Sequence, residues 1–265
     1  MPIVYACIAP HGGHLLLGEN APGPVPLGRR AMVKMRESLR ASGAESVAIL
    51  TPHGIHQPGV FTLGMTSTGY GELDTVKISV ETDLDLAAVW AHKAAEKNIP
   101  VAPLFGQSDT EALPLDWGVT IPLLLLTPPP DTLPSVVVCP ARDLSRQSLV
   151  DWGEALVEAS DEIGKRVALI VSADQGHGHA ADGPYGYTPV SAAYDADMQA
   201  AIEANDLPRL LGWSADYAET ALADSYWQTL SLIGVQKRVP LQSHFLSYEV
   251  DHYFGLLCAE FLPNG

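Results

Sequence analysis

The stretch VALIVSADQGHGHAADGPYGY, Val167 to Tyr187, opens as an unbroken apolar run and then turns polar, with two histidines, two aspartates and four glycines. A short aliphatic, β-branched run that stops in Ser and Asp reads as a strand buried on both faces that delivers its polar residues to a loop at its carboxyl end. Two other runs end the same way. PIVYACIAPH reaches His11 and SVAILTPH reaches His53. Pro10 and Pro52 disfavour helical geometry at Ala9 and Thr51, so both segments stay extended up to the turn.

Between these runs lie amphipathic stretches of helical period, such as RRAMVKMRESLRASG and SLVDWGEALVEASDEIGKR. Alternation of this kind predicts an α/β fold, with a central, largely parallel or mixed sheet flanked by helices. No repeat, low-complexity tract or long linker interrupts it, so residues 1–265 are expected to form a single domain. In open α/β sheets, ligands bind outside the carboxyl ends of the strands. If the three strands are parallel neighbours, they bring His11, His53 and His177 to one rim.

Composition narrows the chemistry. A formal net charge of −16 argues against nucleic acid as a partner, because tracking phosphates requires clustered Lys and Arg. No apolar run approaches the ~20 residues that span a bilayer, and MPIVYACIAP has no basic leader, so a cytoplasmic protein without membrane contact is expected. Cys7, Cys139 and Cys258 sit singly in apolar runs and read as small buried hydrophobes. His92 and His244 read as ordinary surface or core residues. Imidazole, by contrast, is the commonest metal-ligating side chain, and two imidazoles with one carboxylate suit Fe(II) with positions left open for substrate and dioxygen.

Several segments in order resemble the class III extradiol ring-cleavage dioxygenases, typified by the catalytic subunit of protocatechuate 4,5-dioxygenase. They are IAPHGGHLL, ILTPHG, LPLDWGVTIPL, VSADQGH with DGPYGY, DSYWQTLSLIG and SYEVDHYFGLLCAEF. The resemblance implies a non-haem Fe(II) enzyme that opens a catechol-like or aminophenol-like ring with O2. It implies His11 and His53 as metal ligands, a carboxylate from the late helix as the third, and His177 as the acid/base beside the substrate. Asp224 occupies the family's carboxylate position, although relatives usually carry glutamate there. Helical periodicity instead puts Glu219 on a stripe with Leu222, Tyr226, Leu230 and Ile233. Asp116 stands where many relatives have histidine; it either accepts a hydrogen bond from substrate or a ligating imidazole, or caps a helix. His179 either orients substrate or bonds Asp182, and Trp117, Tyr185 and Tyr187 are candidates for an aromatic pocket. The partners expected are a small aromatic substrate and O2, with a homodimer or a separate small subunit as the possible assembly. Two other classes share these residues: a zinc hydrolase or non-oxidative, Memo-like metal protein, and a non-catalytic partner subunit.

Overall fold

A computed structural model describes residues 2–20, 26–74, 76–108 and 110–264. The chain runs β1 (Ile3–Ala9), a 3-10 turn (Gly13–Asn20), α1 (Pro26–Ser42), β2 (Ser46–Leu50), β3 (Phe61–Gly64), β4 (Thr68–Leu73), β5 (Val76–Glu81), α2 (Leu84–Glu96), β6 (Val101–Leu104) and β7 (Leu113–Pro114). It continues through α3 (Trp117–Leu126), β8 (Ser135–Cys139), α4 (Arg146–Ile163), β9 (Val167–Ser172), α5 (Pro189–Glu203), a second 3-10 turn (Leu207–Gly212), α6 (Ala215–Thr220), α7 (Tyr226–Arg238), β10 (Leu241–Asp251) and β11 (Phe254–Pro263).

The main sheet has the order β10-β11-β1-β9-β2-β8-β3-β6. Its centre is parallel: β9 lies between β1 and β2, and β8 pairs with β2 on the far side. On its flanks β11 pairs antiparallel with β1 and β3 antiparallel with β8, while the edge strand β6 runs parallel to β3. The fold is therefore α/β with a mixed sheet, as the sequence predicts. A smaller sheet, β5-β4-β7, packs beside it.

Burial on both faces explains why the central strands read as continuous apolar runs rather than as an alternation. In β1, Ala6 and Ile8 join the core under α2, α4, α5 and α7, while Tyr5, Cys7 and Ala9 join the core under α1 and α3. Strand β2 divides likewise into Ala48 and Leu50 against Val47 and Ile49. Strand β9 sends Val167, Leu169 and Val171 to one face and Ala168 and Ile170 to the other. The aromatic weight falls on one side, where Trp152 stacks on Phe61 at 4.2 Å and meets Trp90 at 4.6 Å. The three cysteines are buried and unbridged. No helix among the described residues is long and apolar enough to cross a membrane.

Adjacent parallel strands end on one edge of a sheet, and here that edge carries the polar residues. Past β1 comes His11, past β9 come Asp174 and His177, past β2 comes His53, and past β8 comes Arg142.

Candidate metal centre

His11 is 2 % exposed, and its backbone N–H and ring Nδ1 are both engaged. Its backbone N–H donates to Asp174 Oδ1 at 2.9 Å, and its Nδ1 lies 2.9 Å from Ser172 Oγ. The Ser172 hydroxyl spends its one proton on the Gly118 carbonyl, so it accepts from His11 Nδ1–H. A neutral His11 held this way presents the Nε2 lone pair to the centre, the outer hydrogen bond fixing the tautomer as in other metal-bound histidines.

His53 Nε2 lies 3.0 Å from His11 Nε2, with the rings nearly perpendicular. Its backbone N–H donates to Thr51 Oγ1 at 3.2 Å, and Thr51 Oγ1 donates to Asp116 Oδ1 at 2.9 Å. Asp116 holds the position before α3, but its side chain makes no capping bond. It supports the His53 turn through Thr51 instead of capping the helix. Space is tight there: a Cβ on Gly118 would come within 2.7 Å of Thr51 Oγ1 and 2.9 Å of Asp116 Oδ1, which only glycine avoids. Trp117, the next residue along, packs its ring on His53 with centroids 4.3 Å apart.

Asp224 supplies the carboxylate of this cluster. Its Oδ1 accepts the Asp174 N–H at 2.9 Å, and its buried Oδ2 has no well-formed hydrogen bond, lying 3.4 Å from His11 Nε2 and 3.3 Å from His53 Nε2. Donor atoms that share a cation at bonds of ~2.0–2.2 Å stand roughly 3–3.5 Å apart. The His11, His53 and Asp224 atoms fit that spacing, and the partnerless carboxylate oxygen is the feature a cation would satisfy. The expected late-helix origin of the carboxylate needs correcting: Asp224 precedes α7, which begins at Tyr226. The helical stripe from Glu219 to Ile233 is not continuous either. Leu222 takes a left-handed φ of 55° between α6 and α7, and Glu219 is exposed.

The electrostatics also call for a positive charge. Burial pushes the His11 pKa down, but the charges of Asp174 and Asp224 outweigh it and raise it to about 9. For Asp224, burial pushes upward and is outweighed by His11 and His53, leaving it well below the ordinary carboxylate range. Asp174 is raised, chiefly by burial, with the Asp224 charge adding to it. Asp174 was not among the residues singled out from the sequence. Its signal was present, since it follows the apolar run of β9 as the histidines follow theirs.

The centre opens into a cleft of about 380 Å³ lined by His53, Asp224, His177, Tyr185, Arg142 and Trp227, with Glu219, Leu222 and Ala223 at its margin. His177 Nδ1 is buried without a partner, and the ring stacks on Phe254 at 5.6 Å and meets the edge of Tyr185 at 5.9 Å. His179 lies elsewhere. Its Nε2 pairs with buried Asp195 Oδ2 at 2.8 Å, which also accepts Tyr248 Oη–H at 2.6 Å. Asp195 Oδ1 takes the Gly176 N–H at 2.7 Å, so this network ties down the loop that carries His177. Asp182 pairs with His252 rather than with His179. Tyr187 is exposed and lies outside the cleft lining.

No curated protein matches the chain. The crystal structure of uncharacterized protein JW3007 from Escherichia coli K12 superimposes with a TM-score of 0.68 at 16 % identity, over 97 % of this chain and 99 % of that one, a likeness of fold. The pattern described as the catalytic LigB subunit of aromatic ring-opening dioxygenase matches residues 10–251, a span that runs from the proline before His11 to the end of β10, and the chain belongs to that family.

Proposed function

We propose that the protein is a non-haem Fe(II)-dependent extradiol dioxygenase that inserts both atoms of O2 into a catechol-like or aminophenol-like ring. The observation that carries this reading is the convergence of two imidazole nitrogens and a carboxylate oxygen without a hydrogen bond of its own, beside a cleft that His177 also lines.

His11, His53 and Asp224 would hold the metal. When bound, Fe(II) supplies open coordination positions and electron relay between an electron-rich ring and dioxygen. The remaining work falls to the chain. Ser172 keeps His11 in the tautomer that offers Nε2, and Trp117 restrains the His53 ring. His177, which lines the cleft with His53 and Asp224, would take a proton from a substrate hydroxyl and return it, a role imidazole commonly fills. Tyr185 walls the cleft beside it.

The test is anaerobic reconstitution with Fe(II), then a panel of catechols and aminophenols followed by oxygen uptake and by the visible absorbance of ring-opened product. Uptake matched by product supports the reading. Absence of uptake across the panel, with zinc retained after anaerobic purification, assigns the centre to a hydrolytic or non-oxidative metal protein instead.

A further inference from the structure

We infer that Arg142 determines specificity in this cleft by receiving a carboxylate carried on the ring of the substrate; the inference rests on the aromatic-substrate reading above. Arg142 follows β8 as His53 follows the neighbouring β2, so the same parallel edge that gathers the metal-binding residues delivers a guanidinium beside them. Among the described residues it is the one Lys or Arg in the cleft lining.

The chain holds this side chain from two of the three ligand-bearing segments, those of His53 and Asp224. The guanidinium lies over the Trp227 ring, 4.4 Å from its centroid, and Nη2 donates to the carbonyl of Pro52 at 3.4 Å. Pro52 adjoins His53, and Trp227 stands three residues after Asp224. Trp227 Nε1 in turn donates to the Arg142 carbonyl at 3.1 Å. Stacking on an aromatic face fixes the guanidinium plane and leaves its other N–H groups free for the two-pronged contact that carboxylates make. Among the described residues no carboxylate lies within ion-pair distance of it, Glu219 on the same cleft included. In a chain of net charge −16, an unneutralised arginine at the mouth of a cleft offers an anion a place that the rest of the surface does not.

The experiment compares binding of 3,4-dihydroxybenzoate and unsubstituted catechol to the Zn(II)-loaded chain by calorimetry and tryptophan fluorescence, in wild type, Arg142→Gln and Arg142→Lys. The wild type should favour the carboxylated diol. Arg142→Gln should cut that preference by about 10- to 100-fold, the size of a lost charged hydrogen-bonding partner, and Arg142→Lys should restore part of it. A wild type without preference, or a preference that Arg142→Gln leaves intact, overturns the inference. So does an equal loss of both ligands. Oxygen uptake by the Fe(II)-loaded chain separates the two readings: an Arg142-dependent preference with no uptake on any diol would sink ring opening and leave the carboxylate site standing. Uptake with an Arg142-independent preference would do the reverse.

Discussion

His11 and His53 meet Nε2 to Nε2 at 3.0 Å, their ring planes 86° apart. Two neutral imidazoles that aim lone pairs at one another repel unless a proton or a cation lies between them, and Ser172 has already taken the other nitrogen of His11. The pair is brought together by the ends of β1 and β2, two strands separated in the sheet by β9. With Asp224 Oδ2 facing both rings, the metal-free arrangement holds a proton on His11, and a divalent ion can take that proton's place.

His11→Ala and His53→Ala are therefore expected to lose metal while the chain stays folded. Each should lower affinity by more than the ~10–100-fold typical of losing an outer hydrogen-bond partner of a ligand. Metal analysis after gel filtration, with circular dichroism for the fold, checks this. Full metal content in either variant removes that histidine from the centre.

Asp224→Ala should lose metal to the same degree, and Glu219→Ala should keep it, because Glu219 stands at the exposed margin of the cleft. The opposite order would move the carboxylate to Glu219.

These two residues also show where the sequence is legible and where it is not. The strand ends bearing His11, His53 and His177 are readable because strands buried on both faces leave unbroken apolar runs, and their carboxyl ends are where the polar residues begin. The stripe from Glu219 to Ile233 persists as a pattern although the chain leaves the helix between Thr220 and Tyr226. A left-handed leucine gives no warning, since that conformation usually falls to Gly, Asn or Asp. Family spacing located Asp224 where periodicity did not. The partner of His179 was hidden for another reason: Asp195 lies in α5, on a helix whose packing against the loop depends on the whole fold.

Ser172→Ala should cost about 10- to 100-fold in metal affinity without displacing any ligand, because the hydroxyl that sets the His11 tautomer is gone. Chelator competition measures it. Unchanged affinity would mean that the Nδ1 contact does not orient the ring.

Metal uptake should release protons. In the metal-free chain the His11 pKa is raised to about 9 by the two carboxylates, so near pH 7.5 the ring holds a proton that the ion must displace. Calorimetry in buffers of differing ionisation enthalpy should report about one proton released per metal. The same shift sets a stability trend. A raised pKa stabilises the fold fully below the unfolded value of ~6.5 and loses that contribution as pH rises towards 9. The metal-free melting temperature should fall across that window, and His11→Ala should flatten the fall. A metal-free melting curve that rises there contradicts the charge assignment.

His177 separates binding from chemistry. Its Nδ1 is buried without a partner, and its ring is positioned by Phe254 and Tyr185 rather than by a metal ligand. If it moves the substrate proton, His177→Ala should keep its iron and bind the diol nearly as before, yet turn over about 10²–10⁴-fold more slowly. His179→Ala should cost less, since its ring is spent on Asp195 and acts by holding the loop. Holding the loop predicts a lower melting temperature for His179→Ala, with a rate that follows how well the loop is kept. Iron content, anaerobic diol titration and turnover on both variants decide between these roles. Iron loss in His177→Ala would make it a ligand, whereas a slower His179→Ala with unchanged stability would exchange the two assignments.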